Sequence, residues 1–111
     1  MPPKEFKYFL SNNAYVSVYL FTDRAKVTEF VVKLNYITIT ENETCEVIRF
    51  DTAHGTVHKD ILLPDGSKYL VKRYRSLSHE QGLDFATDDL DEHFEFYIER
   101  FKQWQKERKK G

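Results

Sequence analysis

The sequence predicts an α+β fold: an antiparallel β-meander of about six strands with one long C-terminal helix packed across one face. Three observations carry this. As far as residue 75, β-branched and aromatic residues run in short stretches separated by Asn-, Asp- and Gly-containing turns. Beyond Leu83 the apolar residues recur every three or four positions, which is helical spacing. The connections between strand-like runs are short, and short connections join antiparallel neighbours.

The elements follow in order. Glu5–Leu10 and Tyr15–Thr22 flank Ser11-Asn12-Asn13-Ala14, where Asn tolerates the positive φ of a tight hairpin. Asp23-Arg24-Ala25 turns the chain into Lys26–Thr40, a stretch dense in Val, Ile, Phe, Tyr and Thr. Glu41-Asn42-Glu43 is the next turn, and Thr44–Asp51 the next strand. Ala53-His54-Gly55 leads to Val57–Leu63, and Pro64-Asp65-Gly66 leads to Lys68–Arg75. Ser78-His79-Glu80-Gln81 has capping-box form and is expected to start a short turn, which Gly82 interrupts. The main helix is expected roughly over 83–107, with a stripe of Leu83, Ala86, Leu90, Phe94, Tyr97, Phe101 and Trp104. Acidic residues at its start and basic ones at its end complement the helix macrodipole, and the basic tail 106–111 is expected to fray.

A length of 111 residues suits one domain, spanning 1–111. Nine Phe, seven Tyr and one Trp exceed what a single thin core buries. Alternation also places apolar residues on both sheet faces: Tyr15, Tyr19 and Phe21 oppose Val16, Val18 and Leu20. One helix covers part of one face, so the other is expected to meet a second copy, as a homodimer, or a cognate protein partner. The net charge of −1 gives no strong overall pull on polyanions. A lone Cys45 excludes an internal disulfide and suits a reducing cytosol. The Asn42-Glu43-Thr44 sequon has no signal peptide to deliver it, and no apolar run nears the ~18 residues of a membrane span. The expectation is a cytoplasmic protein with no membrane partner.

Chemistry concentrates in Arg49–Asp60, which holds two of the four His, two Asp, an Arg and a Lys around one Ala-His-Gly turn. Alternation puts Arg49 with Asp51, and His58 with Asp60, on shared faces. If the turn pairs these strands, the four converge with His54 at the rim, and Gly55 lets the backbone approach a ligand. Three chemistries stay open. Two imidazoles with pKa near ~6.5 suit RNA cleavage by 2′-hydroxyl attack, with Arg49 neutralising the phosphorane. His54, His58, Asp51 and Asp60 also offer mixed nitrogen and oxygen metal ligands, without a signature spacing. Or Arg49 forms a cross-strand ion pair, Asp51 bonds the turn backbone and each His caps a turn. His79 reads as part of the helix cap and His93 as solvated, while Lys68, Lys72, Arg73 and Arg75 make the last strand basic, either to line a phosphate path or to protect a sheet edge. There is no Gly-rich phosphate loop, CxxC, GxSxG or HExxH, so nucleotide hydrolysis, redox relay, esterase and zincin activities lack support.

The run Arg49-Phe50-Asp51-Thr52-Ala53-His54-Gly55, with His58, Asp60 and Pro64-Asp65-Gly66, resembles a family of small bacterial and archaeal proteins with an R-[YF]-D-x-A-H-G-x-x-H-x-D core. More distantly it is similar to TumE-type toxins of toxin–antitoxin pairs, whose core is R-Y-D-N-A-P-H-H-like. This chain has His54-Gly55 where those toxins have Pro-His-His, and it lacks their later His-rich cluster. The resemblance implies that Arg49, Asp51, His54 and His58 are the positions of interest.

The expectation is therefore a toxin–antitoxin-like protein acting as a metal-independent ribonuclease without cofactor. Its catalytic residues would be His54, His58, Arg49 and Asp51, with Asp60, Lys59 and Gly55 binding RNA. The alternative is a non-enzymatic module that binds a protein through its aromatic sheet face.

Overall fold

The structure, a computed structural model, describes the backbone of residues 3–110 and the side chains of residues 3–108. Six strands, β1 (Lys4–Ser11), β2 (Ala14–Asp23), β3 (Lys26–Ile37), β4 (Thr44–Asp51), β5 (Val57–Leu62) and β6 (Lys68–Tyr74), form one sheet in chain order. Every neighbouring pair is antiparallel. A single helix, α1 (His79–Lys110), follows and packs on one face. The α+β meander expected from the sequence is the fold. Of the tail expected to fray, Lys106 to Arg108 are helical, and 109–111 lie outside the described side chains.

Period-two alternation separates the faces. Val16, Phe30, Leu34, Ile48 and Phe50 point under the helix and meet Ala86, Leu90, Ile98 and Phe101, all essentially buried. Ile98, which the expected stripe omits, sits beside Tyr97 and widens the apolar face, as packing on a broad sheet requires.

Three boundaries differ from expectation for local reasons. β3 stops at Ile37 because Thr38 leaves the ladder for the next turn. Its Oγ1 accepts the Glu43 N–H at 3.1 Å, and its carbonyl accepts the Asn42 N–H at 2.9 Å. The left-handed hairpin turn falls at Arg24-Ala25, with φ of 52° and 66°, between the paired Asp23 and Lys26. That backbone twist matches right-twisted strands. The Asn12-Asn13 turn has no positive φ; a register shift between Phe9 and Ser11 reshapes that hairpin instead.

The helix starts at His79 and runs unbroken for 32 residues. Ser78 and Gln81 form a reciprocal cap: the Gln81 N–H donates to Ser78 Oγ at 3.1 Å, and the Ser78 N–H donates to Gln81 Oε1 at 2.9 Å. Gly82 therefore does not interrupt. It lies inside the first turns because the helix crosses β5 there so closely that a Cβ would sit 2.6 Å from a Val57 methyl.

Candidate functional site

The β4–β5 register pairs Asp51 with His58 and Arg49 with Asp60. Directly opposed residues share a face, so all four side chains stand on the side away from α1. A bulge in β4, where Val47 is passed over between Asn35↔Glu46 and Leu34↔Ile48, puts Glu46 on that side too. The link between the strands is a tight turn, Ala53–Gly55, in which His54 (φ 63°) and Gly55 (φ 79°) are both left-handed. The Ala53 N–H donates to Asp51 Oδ1 at 2.9 Å, the Asx-type bond expected of that aspartate. His79 fastens the turn to the helix start, its ring nitrogens lying 2.9 Å from the Thr28 carbonyl and 3.3 Å from the Gly55 carbonyl.

The polar cluster is compact and largely dry. Asp51, Asp60 and His58 side chains are 8%, 3% and 10% exposed. His58 Nε2 lies 2.8 Å from Asp51 Oδ1 and 3.9 Å from Asp60 Oδ1. His58 Nδ1 lies 3.2 Å from the Thr56 carbonyl, which can only accept, so Nδ1 carries the proton there. Arg49 Nε donates to Asp51 Oδ2 at 2.8 Å, and Lys68 Nζ lies 3.4 Å from Asp60 Oδ2. Asp51, His58 and Asp60 thus offer oxygen, nitrogen and oxygen atoms within 4.8 Å of one another, a set able to hold a metal ion.

Around the cluster opens a groove of about 530 Å³, lined by Arg49, His54 and the three buried groups, with Lys68 and Arg73 from β6. Arg49 also borders a second hollow of about 430 Å³ on the same face, walled by Lys7, Tyr19, Val31 and Lys33. The open face is therefore one polar trough that grades into a basic and aromatic one.

The sequence brings together Arg49, Asp51, His54, His58 and Asp60 as expected. Gly55 borders a neighbouring hollow, and its carbonyl is taken by His79. Lys59, expected to bind substrate, is on the opposite face under α1. Its Nζ donates to Tyr97 Oη at 2.6 Å and to Asp89 Oδ2 at 3.0 Å, over the Tyr97 ring. Burial pushes the Lys59 ammonium below its ordinary pKa, against the pull of Asp89. Burial, and then the hydrogen bond to Asp89, pushes the Tyr97 phenol well above its own. The parity that aligns His58 with Asp60 necessarily turns Lys59 away. Lys68 and Arg73 line the groove, one of the two placements the sequence leaves open for them. The Pro64-Asp65-Gly66 hairpin, which sets Arg73 opposite His58, was the available signal.

No described helix is long and apolar enough to cross a membrane. Searches of curated proteins and of solved structures return no match. Residues 1–107 match the domain of unknown function DUF7718, and the chain belongs to that family.

Proposed function

We propose that the open-face groove binds single-stranded RNA and cleaves its phosphodiesters, in a protein of the toxin–antitoxin kind. The observation that carries this reading is the placement of Arg49, Lys68 and Arg73 around the same 530 Å³ groove as His54 and the buried Asp51–His58–Asp60 cluster. Among the described residues Arg73 makes no salt bridge, which leaves a guanidinium for a phosphate. The adjoining Tyr19, Lys7 and Lys33 supply the ring and cations that a single strand uses for stacking and backbone contact.

The geometry divides the roles of the histidines. Both nitrogens of His58 are engaged, by Thr56 and Asp51, so its ring is a fixed part of the floor. His54 stands exposed on the left-handed turn, and among the described residues its ring makes no hydrogen bond. His54 is then the group that takes the 2′-hydroxyl proton as the 2′-oxygen attacks phosphorus, while the guanidinium groups neutralise the charge that builds on the phosphorane. The 5′-oxygen leaves with a proton from solvent. The test is cleavage of a mixed RNA by the purified chain, once in EDTA and once with Mn²⁺. A general base contributes about 10²- to 10⁴-fold, so His54→Ala should lose at least ~100-fold. No cleavage in either buffer, or undiminished cleavage by His54→Ala, overturns the reading.

A second reading is favoured by the open sheet face at β1 and β2, where Phe9 is 55% exposed and lies against Tyr15 at 5.2 Å, and Tyr19 lies edge-on to Phe21 at 5.3 Å. On it the chain is a non-enzymatic module meeting a second copy or a cognate antitoxin through this aromatic surface. Light scattering at tens of micromolar tests the simplest form. A strict monomer with no copurifying protein counts against it.

A further inference from the structure

We infer that Asp51 Oδ1, His58 Nε2 and Asp60 Oδ1 form a binding site for one divalent first-row transition-metal ion. The first ground is an orphan. Asp60 is 2% exposed, yet its Oδ1 has no hydrogen-bond partner among the described residues. A buried carboxylate oxygen without a partner is costly, and an ion is one of the few things that make it tolerable. The second ground is the direction of His58. Its Nδ1 is held at the Thr56 carbonyl, and that contact aims Nε2 between two carboxylate oxygens, 2.8 and 3.9 Å away. One imidazole nitrogen and two carboxylate oxygens converging on one point make a ligand set for a cation, which would take the place of the Nε2 proton.

Dimensions and surroundings agree. An ion about 2.0–2.2 Å from each donor requires donors roughly 3–4 Å apart, which small side-chain shifts satisfy here. Each ligand is already oriented from behind: His58 by a backbone carbonyl, Asp51 by Arg49 and the Ala53 N–H, Asp60 by Lys68. A carbonyl behind the ligating imidazole is the usual arrangement at metal-bound histidines. One imidazole and two carboxylates suit Mn²⁺, Fe²⁺ or Zn²⁺ better than Ca²⁺, which prefers an all-oxygen shell. Three protein ligands facing an open groove leave positions for water or a phosphate oxygen. Ion binding stands on this geometry alone, whereas a part for the ion in RNA cleavage rests on the ribonuclease reading.

The experiment is calorimetric titration of EDTA-stripped protein with MnCl₂ and with ZnCl₂, paired with Mn²⁺ broadening of amide resonances. One ion per chain is expected, with broadening centred on residues 51, 58 and 60. Asp60→Asn, near-isosteric, should weaken binding by at least ~10-fold, and His93→Gln, an exposed helix histidine, should not change it. Broadening of the wild-type chain needs no variant, so it decides the matter even if Asp60→Asn unfolds. No saturable binding at millimolar Mn²⁺ and Zn²⁺, broadening centred elsewhere, or wild-type affinity in folded Asp60→Asn overturns the site. An ion bound at these residues with no RNA cleaved keeps the site and ends the ribonuclease reading. RNA cleavage in EDTA with no ion bound does the reverse.

Discussion

Gly82→Ala sets two large effects of opposite sign against each other, and the structure decides between them. In a helix interior, alanine is favoured over glycine by about 0.8–1.0 kcal/mol. On propensity alone this substitution would stabilise the 32-residue helix. The added Cβ, however, would lie 2.6 Å from Val57 Cγ2, 2.9 Å from Cγ1 and 3.3 Å from Phe30 Cζ. Val57 and Phe30 are each 1% exposed, and a β-branched side chain on a central strand has almost no rotamer to retreat to. Overpacking of this kind costs about 1–3 kcal/mol, so a net loss of about 1 kcal/mol is expected. For a chain of this size that lowers the thermal midpoint by roughly 4 °C. Val57→Ala opens the space, so adding Gly82→Ala to it should be neutral or stabilising, with a coupling of about 1–2 kcal/mol in a double-mutant cycle. Urea unfolding followed by circular dichroism measures all four proteins. A single Gly82→Ala that raises the midpoint, or a cycle that closes at zero, would show that the helix does not press on β5 as described.

Two further outcomes follow from buried or bonded charges. Lys59→Met removes the cation between Asp89 and Tyr97. Breaking a buried pair costs about 3–5 kcal/mol, and because Asp89 keeps the Tyr97 hydroxyl and is 14% exposed, about 2–3 kcal/mol is expected. Pairing it with Asp89→Leu should recover most of that in urea unfolding, and a loss under ~0.5 kcal/mol would contradict the network. Glu80 is held below the ordinary carboxylate pKa of 4.5 by the bonds it accepts from its own N–H and from the Val27 N–H, the latter at 2.9 Å. A depressed carboxylate adds stability above its unfolded value and loses it as pH falls through the folded one. Wild-type stability should therefore drop more steeply than that of Glu80→Gln as pH falls from about 5.5 to 3; parallel curves would rule the linkage out.

Much of the site was legible because its logic is local. Asp51 and His58 face each other across a short turn, and period-two alternation fixes their shared face once the turn is placed. The same parity rule, applied one residue along, turns Lys59 away, so the mistaken assignment of that lysine to the groove was avoidable. Lys68 and Arg73 needed one more hairpin register, and the register shift between Ile61 and Leu62 obscures it in the sequence. Gly82 was opaque for a different reason. Glycine signals both helix breaking and close approach, and which applies depends on Val57, 25 residues away in sequence.

By itself the sequence determined the six-strand meander, the helix stripe and the convergence of Arg49, Asp51, His58 and Asp60. Each of these depends on spacing within a strand, a helix or one turn. Only the tertiary structure decided that the helix runs through Gly82, that Lys59 is sealed beneath it and that Asp60 keeps a buried oxygen to which no described residue hydrogen-bonds. Those outcomes depend on which surfaces exclude water from one another, and exclusion is set by segments that meet only in the folded chain.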